Sequence, residues 1–258
     1  MNLVELQDKV QRGERIAVLT CYDSSFATLC EAAGVDMLLV GDSLGMVLQG
    51  AGDTLSVSMQ DMLYHTRCVA AGAKSSLIMA DMPYGSDATP QIALVNAKRL
   101  LEAGAHIVKL EGNKTDVVRC LAEHDVPVCG HLGFTPQYVH ELGGYKVQGR
   151  DEASAQRIIE DALALQRAGA CLLLLEMVPA RLGAAVTAQL SVPTIGIGAG
   201  PDCDAQVLVL HDMLGVYSGK SPRFARNFMQ GADSVCQALG NYVAAVKNGT
   251  FPGPEHCF

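Results

Sequence analysis

Eight short apolar runs are spread along the 258 residues of this chain, and most are followed by a segment with helical spacing. Runs of four or five apolar residues are typical of strands that are covered on both faces of a parallel sheet. Alternating strands and helices favour such a sheet with right-handed crossovers. Eight units in a chain of this length predict a closed (β/α)8 TIM barrel. An open doubly wound sheet is the second choice, because no Gly-x-Gly-x-x-Gly follows the first strand.

The predicted strands lie at 16–20, 37–41, 77–80, 106–110, 126–129, 171–175, 193–197 and 207–210. The predicted helices lie at 2–12, 24–34, 58–72, 89–104, 115–124 and 151–168, with one more before the seventh strand. We expect Ser24 to cap the second helix and Pro90 to occupy the first position of the helix at 89–104. We expect residues 1–258 to form a single barrel domain with a C-terminal helical tail at about 222–248.

Composition and charge exclude several classes of protein. The net charge is −8 and there is no basic run, which argues against a nucleic-acid partner. No apolar run approaches the roughly 20 residues of a membrane-spanning helix, and residues 1–13 have no signal-peptide core. The nine cysteines include no Cys-x-x-Cys pair. We therefore predict a cytoplasmic protein with neither a membrane partner nor a zinc cluster.

Acidic side chains and histidines follow the apolar runs, at the points where the strands end. They are Asp42, Asp81, Glu111, His131, Glu176 and the pair His211-Asp212. Active sites of (β/α)8 barrels lie where the carboxyl ends of the strands meet. Crowded carboxylates would raise one another's pKa, which a divalent cation would relieve, and oxygen ligands favour Mg²⁺. Lys109 lies two residues before Glu111 on the same strand face, where it could bind a substrate carboxylate.

Other interpretations of these residues stay open at this stage. A single acid at a strand end is often only a helix cap. His131 could belong to the site or merely hydrogen-bond to a loop, and His211 is expected to be structural. The loop at 134–150 is long enough to be functional, although Tyr145 and Lys146 could be only solvated. The apolar residues of the tail either cover the barrel or form a subunit contact.

A series of motifs extends over nearly the whole chain. They are Leu19–Asp23, Val40–Met46, Ala80–Pro83, Val108–Gly112, Val128–Gln137, Gly144–Arg150, Leu175-Glu176 and Ile195–Gly200. Together they resemble the ketopantoate hydroxymethyltransferase family of pantothenate biosynthesis. Cys21, Asp87 and Asn113 depart from the family pattern.

The resemblance implies a fold, a reaction and an assembly. The fold would be a barrel similar to those of phosphoenolpyruvate mutase and isocitrate lyase. The reaction would move a hydroxymethyl group from 5,10-methylenetetrahydrofolate, as co-substrate, to 3-methyl-2-oxobutanoate, giving 2-dehydropantoate. It would proceed through an enolate stabilised by the cofactor Mg²⁺. The assembly would be a large homo-oligomer, which the family suggests is a decamer.

The resemblance also implies roles for individual residues. Asp42 and Asp81 would bind Mg²⁺ and contact the oxo acid, and Glu111 would complete the metal site, through water if not directly. Ser43 and Lys109 would bind the substrate. Glu176 would be the catalytic base that removes the proton from carbon 3.

We also expect burial behind its leucine run to raise the pKa of Glu176 towards neutrality. Two other functions compete with this interpretation. A Mg²⁺-dependent carbon–carbon lyase or phosphonomutase of the related barrels would share the acids but use a catalytic cysteine or an arginine loop, and Cys129 is weakly placed for that role. A barrel that had become a binding protein would have lost the base or the metal ligands, and all of them are present.

Overall fold

A computed structural model describes residues 1–216 and 221–258. Within these residues eight parallel strands pair in chain order and close into a barrel, β1 pairing with β8. The strands are β1 Ile16–Thr20, β2 Met37–Val40, β3 Leu77–Asp81, β4 Ile107–Glu111, β5 Val128–Gly133, β6 Leu172–Glu176, β7 Thr194–Ile197 and β8 Ala205–Leu208. The predicted (β/α)8 barrel is confirmed.

The helices that surround the barrel agree closely with the predicted ones. They are α1 Leu3–Gln11, α2 Ser24–Ala32, α3 Leu44–Val47, α4 Met59–Gly72, α5 Pro90–Glu102, α6 Thr115–Ala122, α7 Glu152–Ala168, α8 Ala180–Gln189, α9 Leu210–Leu214 and α10 Val235–Lys247. Pro90 opens α5, as predicted. The cap of α2 is Asp23 and not Ser24, because the Asp23 side chain accepts from the N–H of Phe26.

Two strands differ from the prediction because their partners set the register. β5 begins after Pro127, which has no N–H to donate, and it continues through His131 to Gly133 alongside β6. β8 begins two residues early, with Ala205 opposite Ile16 of β1. The pair His211-Asp212 therefore does not end a strand but lies in α9.

The end of the chain also departs from the predicted helix at 222–248. Only Val235–Lys247 is helical, and Ser234 caps its first turn. The segment before it is irregular, yet Phe224 and Phe228 are buried against the barrel. The tail was predicted either to cover the barrel or to form a subunit contact, and Phe224 and Phe228 cover the barrel.

The barrel core is continuous and apolar, with both faces of most strands buried. Tyr242 of α10 closes the seam between the first and last strands. Its hydroxyl lies 2.8 Å from the carbonyl oxygen of Val18 and 2.9 Å from that of Gln206. Such a closed sheet holds the carboxyl ends of its strands in one rigid ring.

Two further features bear on the predictions about membrane-spanning segments and cysteines. None of the helices in 1–216 and 221–258 has the length and apolar character of a bilayer-spanning segment. All nine cysteines are free thiols.

An ion triad lies at the end of the barrel opposite the carboxyl ends of the strands. Asp36, which precedes β2, is buried and accepts from the N–H of Ala17 at 2.9 Å. Its carboxylate also pairs with Lys9 of α1, at 2.9 Å, and with Lys247 of α10. One acid thus ties two outer helices to the first two strands.

We predict that Asp36→Ala lowers the free energy of unfolding by about 2 kcal/mol. This is less than a fully buried pair would lose, because both lysines are about one-third exposed and can reach water. Urea unfolding measures the change. Asp116→Ala is the control, since Asp116 makes an exposed pair with Arg119 and its loss should change stability by less than about 0.5 kcal/mol. Equal effects of the two substitutions would contradict a structural role for the triad.

Candidate active site

A cavity of about 610 Å³ opens at the carboxyl ends of the strands. All six side chains that the sequence assigned to the site line it. They are Asp42, Ser43, Asp81, Lys109, Glu111 and Glu176. His131 lines the same cavity, and it lies within β5 rather than in a loop. Residues from five strands and the segments that follow them therefore converge, although they are far apart in sequence.

Strand register explains which of these side chains become neighbours. Asp81 of β3 is paired with Lys109 of β4, and Glu111 is paired with His131 of β5. Alternate residues of a strand face the same side, so Lys109 and Glu111 both point into the barrel. Asp81 and Glu111 are thus each placed beside a nitrogen-bearing side chain of the next strand.

Lys109 is the central cation of the site. Its Nζ lies 2.9 Å from Oδ1 of Asp81, and both side chains are about 95% buried. Burial by itself would lower the pKa of Lys109, but the carboxylates of Asp81, Glu111 and Asp42 more than reverse this and raise it above its ordinary value. The ammonium therefore stays charged within the barrel.

Asp42 lies directly beside this pair. Its backbone N–H donates to Oδ2 of Asp81 at 3.0 Å. Burial raises the pKa of its carboxyl well above the usual range, and the charges of Asp81 and Glu111 raise it further. A protein that gathers acids in this way stabilises their ionised forms only when a cation joins them.

Gln137, in a short 3₁₀ helix at Pro136–Tyr138, holds two of the acids in place. Its side-chain amide donates to Oδ2 of Asp42 at 2.8 Å and to the carbonyl oxygen of Met82 at 2.9 Å. Its backbone N–H donates to Oε2 of Glu111 at 2.9 Å. The beginning of the loop at 134–150 is therefore part of the site.

His131 joins the cation to the predicted base. Its Nδ1 lies 3.3 Å from Nζ of Lys109, and its Nε2 lies 3.4 Å from Oε2 of Glu176. Burial and the charge of Lys109 lower the pKa of His131, so the ring is neutral. Because the ammonium can only donate, it requires the lone pair on Nδ1, which leaves the ring proton on Nε2, facing Glu176.

Glu176 ends β6, and its side chain is 14% exposed to the cavity. Burial raises the pKa of its carboxyl, as predicted, while His131 partly offsets that rise. On the other side of the cavity, the hydroxyl of Ser43 lies 2.9 Å from that of Tyr22, which sets its direction.

The acids have the chemistry that a divalent cation requires, although they do not enclose one completely. Oε1 of Glu111 is buried and has no hydrogen-bond partner among the described residues, and neither has Oε1 of Gln137. Within 1–216 and 221–258, no three His, Cys, Asp or Glu side chains are arranged to hold a metal ion on their own. Mg²⁺ needs only one or two protein carboxylates, because water and substrate supply its other ligands. Asp42 and Asp81 can supply them.

Comparison with known proteins decides the family. The family model for ketopantoate hydroxymethyltransferase matches residues 1–254. The chain belongs to the ketopantoate hydroxymethyltransferase family. It is 61% identical to the 3-methyl-2-oxobutanoate hydroxymethyltransferase of Methylobacillus flagellatus over 261 aligned positions, covering 100% of both chains. It is 57% identical to the enzyme of that name from Nitrosospira multiformis, covering 95% of each.

Solved structures place this family member among the barrels expected from the sequence. A phosphonopyruvate hydrolase matches with a TM-score of 0.66 at 15% identity, over 95% of this chain and 98% of that one. A 2,3-dimethylmalate lyase of the PEP mutase/isocitrate lyase superfamily matches with a TM-score of 0.61 at 16% identity, over 80% of this chain and 77% of that one. At these identities the likeness concerns the fold.

The sequence did not predict the contacts that Gln137, Tyr22 and His131 make in the site of this family member. Gln137 lies within a recognised motif but carries no charge, and Tyr22 lies in another, so neither suggested a role. His131 was left undecided because the predicted fifth strand stopped short of it. For Gln137 the available signal was its place after Thr135-Pro136, at the start of a loop too long to be a simple connection.

We predict that, without divalent cations, Glu111 increasingly destabilises the folded state as the pH rises from about 4.5 to about 7. Burial raises the pKa of Glu111 from 4.5 to about 7. In that range Glu111 therefore binds more protons in the folded state than in the unfolded state, and its contribution to the free energy of unfolding falls with increasing pH. Urea unfolding in EDTA across this range should show a smaller fall in Glu111→Gln than in the wild type. Parallel curves for the two proteins would contradict the assignment to Glu111.

Proposed function

We propose that this chain transfers a hydroxymethyl group from 5,10-methylenetetrahydrofolate to 3-methyl-2-oxobutanoate, with Mg²⁺ as cofactor. One observation carries the proposal: a buried ammonium, three clustered carboxylates and a separate buried carboxyl line the same cavity. The cluster suits a small anionic oxo acid, and the separate carboxyl suits removal of a proton next to its ketone. Family membership supplies the reaction class.

Lys109 binds the substrate's charge. Its ammonium is fixed by Asp81 on one side and faces His131 on the other, so little reorganisation is needed when a carboxylate arrives. Ser43, with its hydroxyl directed by Tyr22, contributes a further hydrogen bond to the oxo acid. Together they orient carbon 3 towards Glu176.

Glu176 takes the proton from carbon 3. A carboxylate with a raised pKa is a stronger base than one in water, and burial produces that rise here. Nε2 of His131 lies 3.4 Å from Oε2 of this carboxylate, on the side away from the cavity opening. The electron pair left on carbon 3 delocalises onto the keto oxygen.

Asp42 and Asp81 would hold Mg²⁺, with Glu111 reaching it through water. When bound, the ion supplies Lewis-acid stabilisation of negative charge on the keto oxygen, an effect worth several kcal/mol. Gln137 keeps the Asp42 and Glu111 carboxylates in fixed directions before any cation binds.

Carbon 3 then forms a carbon–carbon bond to the methylene carbon of the folate. The two bonds from that carbon to the folate nitrogens break, and water provides the hydroxyl oxygen. One proton from water and the proton held by Glu176 go to the two nitrogens, so that tetrahydrofolate leaves with 2-dehydropantoate and the base is regenerated. The catalytic cysteine of the competing lyase or phosphonomutase function has no counterpart among the described residues that line this cavity. Cys129 is fully buried and does not line it, and burial raises the pKa of its thiol far above the usual range.

Cytoplasmic location and assembly into a large homo-oligomer remain proposals. Nine free thiols support a reducing compartment. Exposed apolar side chains on the outer helices, among them Tyr64 of α4 and Ile92 and Val95 of α5, support a contact between copies.

We predict that Glu176→Gln slows exchange of the carbon 3 hydrogen into deuterated water by at least about 100-fold, because the amide cannot accept the proton. Nuclear magnetic resonance of 3-methyl-2-oxobutanoate with enzyme and Mg²⁺, without folate, measures the rate. Glu160→Gln, an exposed acid on α7, is the control and should exchange normally. Exchange at the wild-type rate in Glu176→Gln would remove Glu176 as the base.

We predict that Asp81→Asn weakens Mg²⁺ binding by more than about tenfold. The amide is of similar size, but it removes a negative charge from the cluster. Titration calorimetry without substrate measures the affinity, so the readout does not depend on turnover. Asp87→Asn is the matched control, because Asp87 is equally buried but pairs with Lys114 outside the cavity. Unchanged affinity in Asp81→Asn would exclude Asp81 as a ligand.

A further inference from the structure

The cavity has two chemically different walls. The residues that bind and activate the oxo acid come from β2 to β6 and the turns that follow them. The other wall, here called the apolar wall, comes from β7, from β8 and the residue after it, from the described residues between 221 and 234, and from residue 258. Its residues are Ile197, Val207, Val209, Pro222, Phe224 and Phe258. A five-carbon oxo acid held by Lys109 does not need this second wall.

Two charged residues line the cavity beside the apolar wall in the described part of the chain, Asp212 and Arg223. Arg223 is already engaged. Its Nε–H donates to the carbonyl oxygen of Glu255 at 3.1 Å, and its guanidinium lies 5.5 Å from the centre of the Phe258 ring. The side chain of Asp212, in α9, has no hydrogen bond or ion pair with any described residue.

Within residues 1–216 and 221–258, no side chain neutralises the Asp212 carboxylate or donates a hydrogen bond to it, so a ligand could do so. The residue is half-buried, and burial without a compensating partner raises the pKa of its carboxyl to about 6. Holding such a group beside apolar side chains costs folding free energy. The Asp212 carboxylate makes no contact with the described residues that would offset this cost, in contrast to the carboxylate of Asp36 at the opposite end of the barrel.

We propose that the apolar wall binds the pterin ring of the folate co-substrate, and that the Asp212 carboxylate accepts hydrogen bonds from its N3–H and 2-amino group. This inference rests on the proposed function. A pterin is a flat aromatic ring that suits apolar and aromatic side chains such as Phe224 and Phe258. Its amino-pyrimidinone edge presents two parallel N–H donors, the arrangement that a carboxylate accepts in pairs from arginine.

The position of Glu176 agrees with this division of the cavity. Its strand, β6, lies between β5, which carries His131, and β7, where the apolar wall begins. The base therefore lies where the two walls meet. A pterin on one side would bring its methylene carbon towards the oxo acid on the other.

The test compares folate binding with folate-independent chemistry in Asp212→Asn. The asparagine side chain has nearly the same shape as aspartate. Its NH2 group, however, would face an N–H group of the pterin and could not accept a hydrogen bond from it. We expect the dissociation constant for tetrahydrofolate, measured by calorimetry under anaerobic conditions, to rise roughly 10- to 100-fold. Exchange of the carbon 3 hydrogen of 3-methyl-2-oxobutanoate should stay within about twofold of the wild type. Asp161→Asn, a half-buried acid on α7 outside the cavity, should change neither.

A second measurement uses the wild-type protein and does not depend on a variant that folds. Tetrahydrofolate in which a methyl group replaces the 2-amino group should bind the wild type roughly 10- to 100-fold more weakly than tetrahydrofolate. Asp212→Asn should discriminate much less between the two ligands. If the wild type binds both ligands equally, or if Asp212→Asn binds tetrahydrofolate as tightly as the wild type, the assignment to Asp212 is overturned. Failure of the proposed function would look different, since the wild type would then show no exchange with the oxo acid alone.

Discussion

The buried ammonium of Lys109 is the interaction on which the site depends. A cation within a barrel of apolar side chains is tolerable only when carboxylates surround it, and those carboxylates would repel one another without it. Asp81, Asp42 and Glu111 supply that charge from three strands or their ends. The arrangement leaves an excess of negative charge over positive. That excess attracts a divalent cation and, through the cation and Lys109 together, an anionic substrate.

The barrel makes this crowding possible because its rigidity comes from elsewhere. The apolar core and the seam closed by Tyr242 hold the strands in register, whether or not the charges at their ends are balanced. Asp36 and its two lysines fasten the far end of the barrel, where no chemistry takes place. The ion triad that stabilises the barrel and the crowded carboxylates of the site therefore lie at opposite ends of the strands, as is usual in this fold.

The connection between β7 and β8 gives the cavity its asymmetry. No helix separates these two strands, and the irregular residues 221–234 cover this side instead. Phe224 reaches the cavity from that segment, and Phe258 from the end of the described chain. The polar wall therefore suits a small charged molecule and the apolar wall a flat one, which is the requirement of a reaction that joins two such substrates.

The sequence by itself determined the fold and the principal acids, because both depend on local pattern. An apolar run of four or five residues predicts a buried strand wherever it occurs, and Asp42, Asp81 and Glu176 stand at the ends of such runs. Only the tertiary structure decided what those acids touch. Gln137 donates to Asp42 across 95 positions of sequence, and His131 meets Glu176 because of the register between β5 and β6. The limits of β8, and with them the place of Asp212, follow from pairing with β1, which no local pattern contains.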